Sequence, residues 1–294
     1  MSSVGLRAAK AVRWNGLSVA RRAFTLIEVL VVMVLLSLIV LALMAVFNTT
    51  QNAFRASVTQ TDVLEGGRAA MDLITSDLRE ITPSFGYSNT FNGAVNFCVT
   101  NYGNAPFVQP LVASGYSRTN VQQNFFILSA GNSNGVPMWY GTGYAVYLSP
   151  SNLYSLYRFT AGIPMSSPIA LHQLFYTNFQ NFLQTPNNYS HLLDGVIGFR
   201  VQAFDNNGAL IVTNRMNVLT NSMADGTGWL FYSNAVPASV EIEMATLEDR
   251  VLQRASTWPN SSVLQSNYLA QQAGKLHVFR QRVSIPNVDP SAYQ

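Results

Sequence analysis

Cysteine and charged side chains are both scarce in this chain of 294 residues. The single cysteine, Cys98, excludes an intramolecular disulfide, so packing of the core has to stabilise any globular part. A free cysteine is most often a small buried hydrophobe, and we expect Cys98 to be one. The three histidines, His172, His191 and His277, are scattered and lack the spacing of zinc ligands.

Motifs of well-known enzyme classes are also absent. The sequence contains no Gly-x-Ser-x-Gly elbow, Walker loop, dinucleotide fingerprint or metalloprotease helix. Of its 17 basic residues, five lie in residues 1–23, which leaves 12 basic against 14 acidic residues in the remainder. The net charge of +3 therefore comes from the N-terminal segment, and nucleic acid is not predicted as a partner.

A long apolar run is the main feature that is present. From Val29 to Phe47 the only polar side chain is Ser37, and the run contains no Gly or Pro. A helix over residues 24–47 would be about 36 Å long, which exceeds a hydrocarbon core of about 30 Å. The basic pair Arg21 and Arg22 precedes it, so the positive-inside rule predicts a cytoplasmic N-terminus and a domain on the far side.

One acid, Glu28, lies a single turn inside this predicted span. A carboxylate costs about 2.5–3.5 kcal/mol at the centre of a membrane helix and less near its end. Glu28 is therefore expected either to reach the lipid headgroups or to pair with a cation. A buried acid left alone is costly, whereas an adjacent ammonium offsets its desolvation.

Residues 21–28 read Arg-Arg-Ala-Phe-Thr-Leu-Ile-Glu, and with the apolar helix they resemble the signal of type IV pilins and type II secretion pseudopilins. The resemblance implies that a prepilin peptidase removes the basic leader 1–23 by cutting after Ala23, where the family usually has Gly, and methylates the new amine of Phe24. It also implies that Glu28 pairs with the terminal amine of a neighbouring subunit. The implied partners are the peptidase, other pilins or pseudopilins, an inner-membrane assembly platform and membrane lipid.

After the span, residues 48–82 are predicted to continue as an amphipathic helix that ends before Pro83. The pair Gly66-Gly67 is expected to be a weak point at which the helix bends. The predicted apolar stripe comprises Phe54, Val58, Leu64, Met71, Ile74, Leu78 and Ile81. The predicted polar remainder comprises Asp62, Glu65, Arg68, Asp72, Asp77, Arg79 and Glu80.

Residues 83–294 are predicted to form a β-rich domain, with an enlarged, loop-rich segment over 84–190. Its strand candidates are Val95–Thr100, Asn124–Ser129, Gly143–Leu148 and Leu153–Thr160. In the C-terminal third, the candidates are Val196–Phe204 and Ala209–Val212 around the turn Asp205–Gly208, then Val240–Met244 and Leu276–Ile285, with a short helix between 250 and 272. The fold class is therefore α+β, type IV pilin-like, with the long helix packed on an antiparallel sheet.

Three stretches resemble J-type minor pseudopilins and W-type minor pilins: Leu193–Val196 into Phe199 and Phe204-Asp205, Val236–Ile242, and Phe279–Val283. Segment 84–190 departs from that pattern, because it makes the domain larger than those relatives usually have. The sequence also resembles the Verru_Chthon pilin-like cassette proteins. No cofactor is predicted. Asp205 and the stretch Asp225–Gly228 offer oxygen ligands for calcium, but turn chemistry explains Asp205 better. Glu241 and Glu243 share one strand face, where two acids are usually solvated rather than catalytic.

The sequence thus predicts a structural subunit of a secretion pseudopilus or pilus, not an enzyme. One alternative is an adhesive or substrate-binding module carried by the fibre, which would use segment 84–190. A second is a single-span membrane enzyme that uses the helix only as an anchor. Secretion, twitching pili and DNA uptake stay open as settings.

Overall fold

The computed structural model describes residues 25–85, 94–101, 107–111, 115–147, 153–223, 226–259 and 262–293. The chain divides into two compact units, residues 1–55 and 56–294. Helix α1 (Leu26–Arg79) is 54 residues long and contributes to both units. Its length follows from the absence of Pro from its sequence, and the chain leaves the helix shortly before Pro83.

Among the described residues, twelve strands and several short helices follow α1. The strands are β1 (Val95–Thr100), β2 (Phe107–Pro110), β3 (Ser117–Asn120), β4 (Asn124–Ser133), β5 (Val136–Tyr147), β6 (Ser155–Pro164), β7 (Ser190–Leu193), β8 (Val196–Phe204), β9 (Val218–Met223), β10 (Gly226–Tyr232), β11 (Ser239–Leu247) and β12 (Leu276–Ser284). The helices are α2 (Ala170–His172), α3 (Gln180–Gln184), α4 (Asp249–Ala255) and α5 (Val263–Ala270). A π-helix, Gln173–Phe179, joins α2 to α3, and we call residues 170–184 the helical segment.

These strands form three antiparallel sheets. The largest has seven strands in the order β7-β6-β5-β4-β1-β10-β9, and a second has the order β12-β11-β8. The hairpin β2-β3 forms the third sheet. The long helix followed by an antiparallel domain confirms the predicted α+β class.

Two main layers of core lie on opposite faces of the seven-stranded sheet. On one face, Met71, Ile74 and Leu78 of α1 share a core with both large sheets. On the other face, aromatic side chains of the helical segment pack against the sheet. Cys98 belongs to this second core, as expected, and burial raises the pKa of its thiol to about 12. The helical segment itself was not predicted.

The segment expected to be loop-rich contains strands β1 to β6. Residues 131–135 lie between the strand candidates in this segment, but they complete a hairpin between β4 and β5. Asn134 and Gly135 both have positive φ, 51° and 82°, which suits a tight two-residue turn with the twist of the strands. In contrast, residues 209–212 form only an isolated bridge, Phe204 with Leu210, rather than a strand.

The glycine pair of α1 is a packing site. The helix continues through Gly66 and Gly67 without interruption. A Cβ atom built on Gly67 would lie 2.3 Å from the ring of Phe279 on β12, so the ring occupies the space that a side chain would need. A Cβ atom on Gly66 would lie 3.1 Å from the side chain of Leu193. The pair lets α1 approach both sheets closely.

Asp77 was predicted to lie on the polar face of α1, but in the structure it is buried. It is 9% exposed, and its carboxylate accepts hydrogen bonds from Arg158 Nε at 2.9 Å and Arg158 Nη2 at 3.0 Å. The hydroxyl of Tyr144 donates to the same carboxylate. Burial and the neighbouring Asp77 raise the pKa of Tyr144. This network connects α1 to β5 and β6 through the core.

Candidate functional site

The first turn of α1 is closed by a reciprocal pair of hydrogen bonds. The backbone N–H of Glu28 donates to Thr25 Oγ1 at 3.3 Å, and the backbone N–H of Thr25 donates to Glu28 Oε2 at 3.3 Å. This is a capping box, in which a Thr at the N-cap and a Glu three residues later satisfy donors that the helix leaves open. Glu28 is therefore directed back towards the N-terminus of the helix, where negative charge is favoured.

The hydrogen bonds from Thr25 do not neutralise the charge of Glu28. Over the part of the chain that the structure describes, no Lys, Arg or His nitrogen lies within 4.0 Å of its carboxylate. The sequence predicted an acid satisfied only by another subunit. In the structure, Thr25 already donates hydrogen bonds to one carboxylate oxygen of Glu28, and the charge has no cationic partner among the described residues.

The rest of the N-terminal half of α1 is apolar and uncovered. Leu26 is 83% exposed and Val31 is 49% exposed, and the other large apolar side chains up to Phe47 lie between these values. The hydroxyl of Ser37 donates to the carbonyl of Val34 at 2.8 Å, so it is satisfied within the helix. By length and composition, α1 is the one helix among the described residues that could cross a membrane.

Residues 19–44 match the family model described as the prokaryotic N-terminal methylation motif. The chain carries a type IV pilin-like signal. Comparisons with curated proteins and with solved structures gave no match. The signal implies processing by prepilin peptidase and assembly with other pilins, and together with the apolar helix it fits membrane anchoring. It also favours a structural subunit over an enzyme.

The matched range includes all five site residues that the sequence singled out, although the structure describes only Glu28 among them. Arg21, Arg22, Ala23 and Phe24 lie outside the described residues. The reciprocal partner Thr25 was missed as a site residue. The signal that identifies it is the spacing Thr-x-x-Glu directly before an apolar run, which is the capping-box pattern.

A serine, a histidine and an aspartate meet between β6 and β7. The buried Ser155 hydroxyl donates to Asp194 Oδ1, and His191 Nε2 lies 2.9 Å from the same oxygen. In a hydrolytic triad the histidine lies between the other two and takes the proton of the serine. Here the aspartate occupies the middle, so this cluster lacks the contact between nucleophile and base, and it serves to hold two strands together.

The acidic residues considered for catalysis or calcium have structural partners. Glu241 accepts a hydrogen bond from Arg280 Nη2 at 2.6 Å, and Glu243 pairs with Arg118 at 3.2 Å. Asp205 accepts hydrogen bonds from two backbone N–H groups of its turn and from Arg215. Although burial acts to raise the pKa of Asp205, these bonds hold it below its usual value.

Asp225, from the second stretch considered for calcium, lies outside the described residues. Within the ranges that the structure covers, no three His, Cys, Asp or Glu side chains converge as metal ligands.

Proposed function

We propose that the chain is a minor pseudopilin or minor pilin, a structural subunit that enters a type II secretion pseudopilus or a type IV pilus through α1. The observation that supports this most is the coincidence of the methylation signal at residues 19–44 with Glu28, an acid on an uncovered apolar helix that has no cationic partner among the described residues. The topology we propose places residues 1–23 in the cytoplasm and the β-domain beyond the inner membrane.

In this proposal, prepilin peptidase cuts after Ala23 and methylates the amine of Phe24. That amine is the cation that Glu28 of a neighbouring subunit would accept. In an apolar bundle of helices, an isolated carboxylate and an isolated ammonium are each expensive, and bringing them together offsets both desolvation terms. Pairing between subunits would thus stabilise the assembled fibre. The apolar surface of α1 would remain available to pack on other helices.

The finer assignment to the J-type or W-type group rests on three stretches of the β-domain. They coincide with the start of β8, the approach to β11, and β12, which are neighbours in the three-stranded sheet. Because the three stretches lie in or next to the same sheet, the resemblance applies to one region of the domain, which supports the proposal.

Processing is tested by mass spectrometry of the protein purified from a host with a competent prepilin peptidase. We expect the mature chain to begin at Phe24 with a methylated amine. The control is the same gene expressed in a host without the peptidase, where the leader should be retained. A chain that still begins at Met1 in the competent host would contradict the proposal.

Assembly is tested by comparing three variants in sheared fibres, measured by quantitative immunoblotting against the membrane fraction. Glu28→Ala removes both the charge and the side-chain acceptor that Glu28 contributes to the capping box, whereas Glu28→Gln removes the charge and keeps a capping-box residue. Thr25→Ala weakens the cap and keeps the charge.

If charge pairing drives assembly, we expect both Glu28 variants to lose about tenfold or more of fibre incorporation, since charged hydrogen bonds contribute about 1.5–3 kcal/mol. Fibre incorporation of Thr25→Ala should stay near that of the wild type. Normal incorporation of Glu28→Gln would show that Glu28 acts only as a cap and would refute the pairing role.

A further inference from the structure

A cavity of about 530 Å³ lies on the face of the seven-stranded sheet that the helical segment covers in part. Strands β1, β10 and β9 form one wall, and the π-helix with α3 forms the other. Its size falls within the range of sites that hold small molecules. It lies wholly within the unit of residues 56–294.

The cavity combines an apolar floor with an aromatic wall. Cys98, Leu183 and Leu230 contribute to the floor, and Leu219 beside them is 41% exposed. Tyr176 lines the cavity, its ring stacks on His172 with centroids 4.7 Å apart, and its hydroxyl bonds to Tyr232. Both contacts hold the ring in place next to the apolar residues of the cavity.

The described polar side chains that line the cavity are all neutral. Thr100, Gln180 and Asn221 line it, and none of the three side chains forms a hydrogen bond with another described residue. Asn214 is held in position because its Oδ1 accepts the backbone N–H of Thr220 at 2.6 Å and the hydroxyl of Thr220 at 2.9 Å. Amide and hydroxyl groups can both donate and accept hydrogen bonds, so they complement ligand groups, such as hydroxyls, that also do both.

The absence of charge at the cavity narrows the ligand class. Among the lining residues that the structure describes, none is Asp, Glu, Lys, Arg or His. An anion or a cation in such a site would lose its hydration without a counter-charge, which is strongly unfavourable. A saccharide unit has an apolar C–H face for the floor and the tyrosine ring, and neutral hydroxyls for the amide rim.

We propose that this cavity binds an uncharged saccharide of one or two rings. The site gives the β-domain a recognition function in addition to assembly. The proposed saccharide site gives a specific form to the alternative of a fibre-borne binding module. It places the ligand between segment 84–190 and β9-β10 rather than on that segment alone. It does not depend on the Glu28 pairing, so either proposal can fail without the other.

The test uses the full chain in an amine-oxide detergent, because alkyl glycosides carry a sugar headgroup that would compete. Saturation-transfer difference NMR and titration are carried out with maltose, cellobiose, lactose and N,N′-diacetylchitobiose. We expect saturable binding of at least one of these. Binding of none of them, or equal affinity for a disaccharide containing glucuronic acid, would overturn the proposal.

Variants then test whether the saccharide binds in this cavity. Gln180→Ala combined with Asn221→Ala removes two rim groups and should weaken affinity about tenfold or more, at roughly fivefold for each hydrogen bond. The matched control, Gln173→Ala combined with Asn178→Ala, removes the same chemistry from residues outside the cavity and should change affinity less than about twofold. Leu219→Trp should block the cavity by adding bulk at an exposed position. Equal weakening by the rim and control variants, or undiminished binding by Leu219→Trp, would refute the site.

Discussion

Replacing Arg158 by Met should lower the free energy of unfolding of the β-domain by about 3 kcal/mol, one of the two largest effects that we expect. Removing one partner of a buried ion pair costs about 3–5 kcal/mol, because the other charge stays buried without compensation. The side chain of Asp77 is 11% exposed and that of Arg158 is 25% exposed, so solvent screens the pair in part and the lower end of the range applies. Chemical denaturation of the full chain in detergent, followed by fluorescence, measures the change.

Two further variants separate the ion pair from general disturbance of this core. Tyr144→Phe removes a single hydrogen bond to Asp77 and should cost about 1–2 kcal/mol. Asp77→Leu combined with Arg158→Met removes both charges, and it should be less destabilising than Arg158→Met alone because no orphan charge remains. A loss below about 1 kcal/mol for Arg158→Met would show that the network contributes little to stability.

Replacing Gly67 by Leu should destabilise the β-domain by about 3 kcal/mol, the upper part of the range for overpacked cores. The reason is steric, because a Cβ at this position would already lie 2.3 Å from the ring of Phe279. For a unit of this size, that loss corresponds to a decrease in Tm of roughly 6–12 °C. Thermal unfolding monitored by circular dichroism above 200 nm checks it.

The neighbouring glycine is a matched control. At Gly66 the nearest atom is the end of the Leu193 side chain at 3.1 Å, which can move, and alanine favours a helix by about 1 kcal/mol. Gly66→Ala should therefore be neutral or slightly stabilising. Combining Gly67→Ala with Phe279→Leu should recover part of the stability that Gly67→Ala loses. An increase in stability for Gly67→Ala alone would contradict the packing argument.

Some elements of the fold could be predicted because their signals are local. The apolar run and the Pro83 stop indicated α1 within a few residues, and alternation over residues 240–244 indicated β11. The turn Asn134-Gly135 was overlooked, although Asn-Gly is the strongest short hairpin signal.

Other features depended on partners distant in sequence. Asp77 lies three residues after Ile74 and four before Ile81, so helical periodicity alone would have placed it on the apolar face. The charge of Asp77 favoured a position exposed to solvent. Its burial is tolerated only because Arg158 on β6 pairs with the carboxylate. The helical segment was likewise hidden, since its aromatic residues suit a strand as well as a helix until the sheet that it covers is known.

The sequence by itself determined the signal around residues 21–28, the apolar helix and the α+β class, because each depends on neighbouring residues and on the contrast between water and lipid. The capping box is also readable from Thr25 and Glu28. Tertiary structure alone decided that Asp77 is buried, that Gly67 makes room for Phe279, and that a neutral cavity forms between β9 and the helical segment. Those features arise from contacts between residues tens to hundreds of positions apart, for which local patterns carry no information.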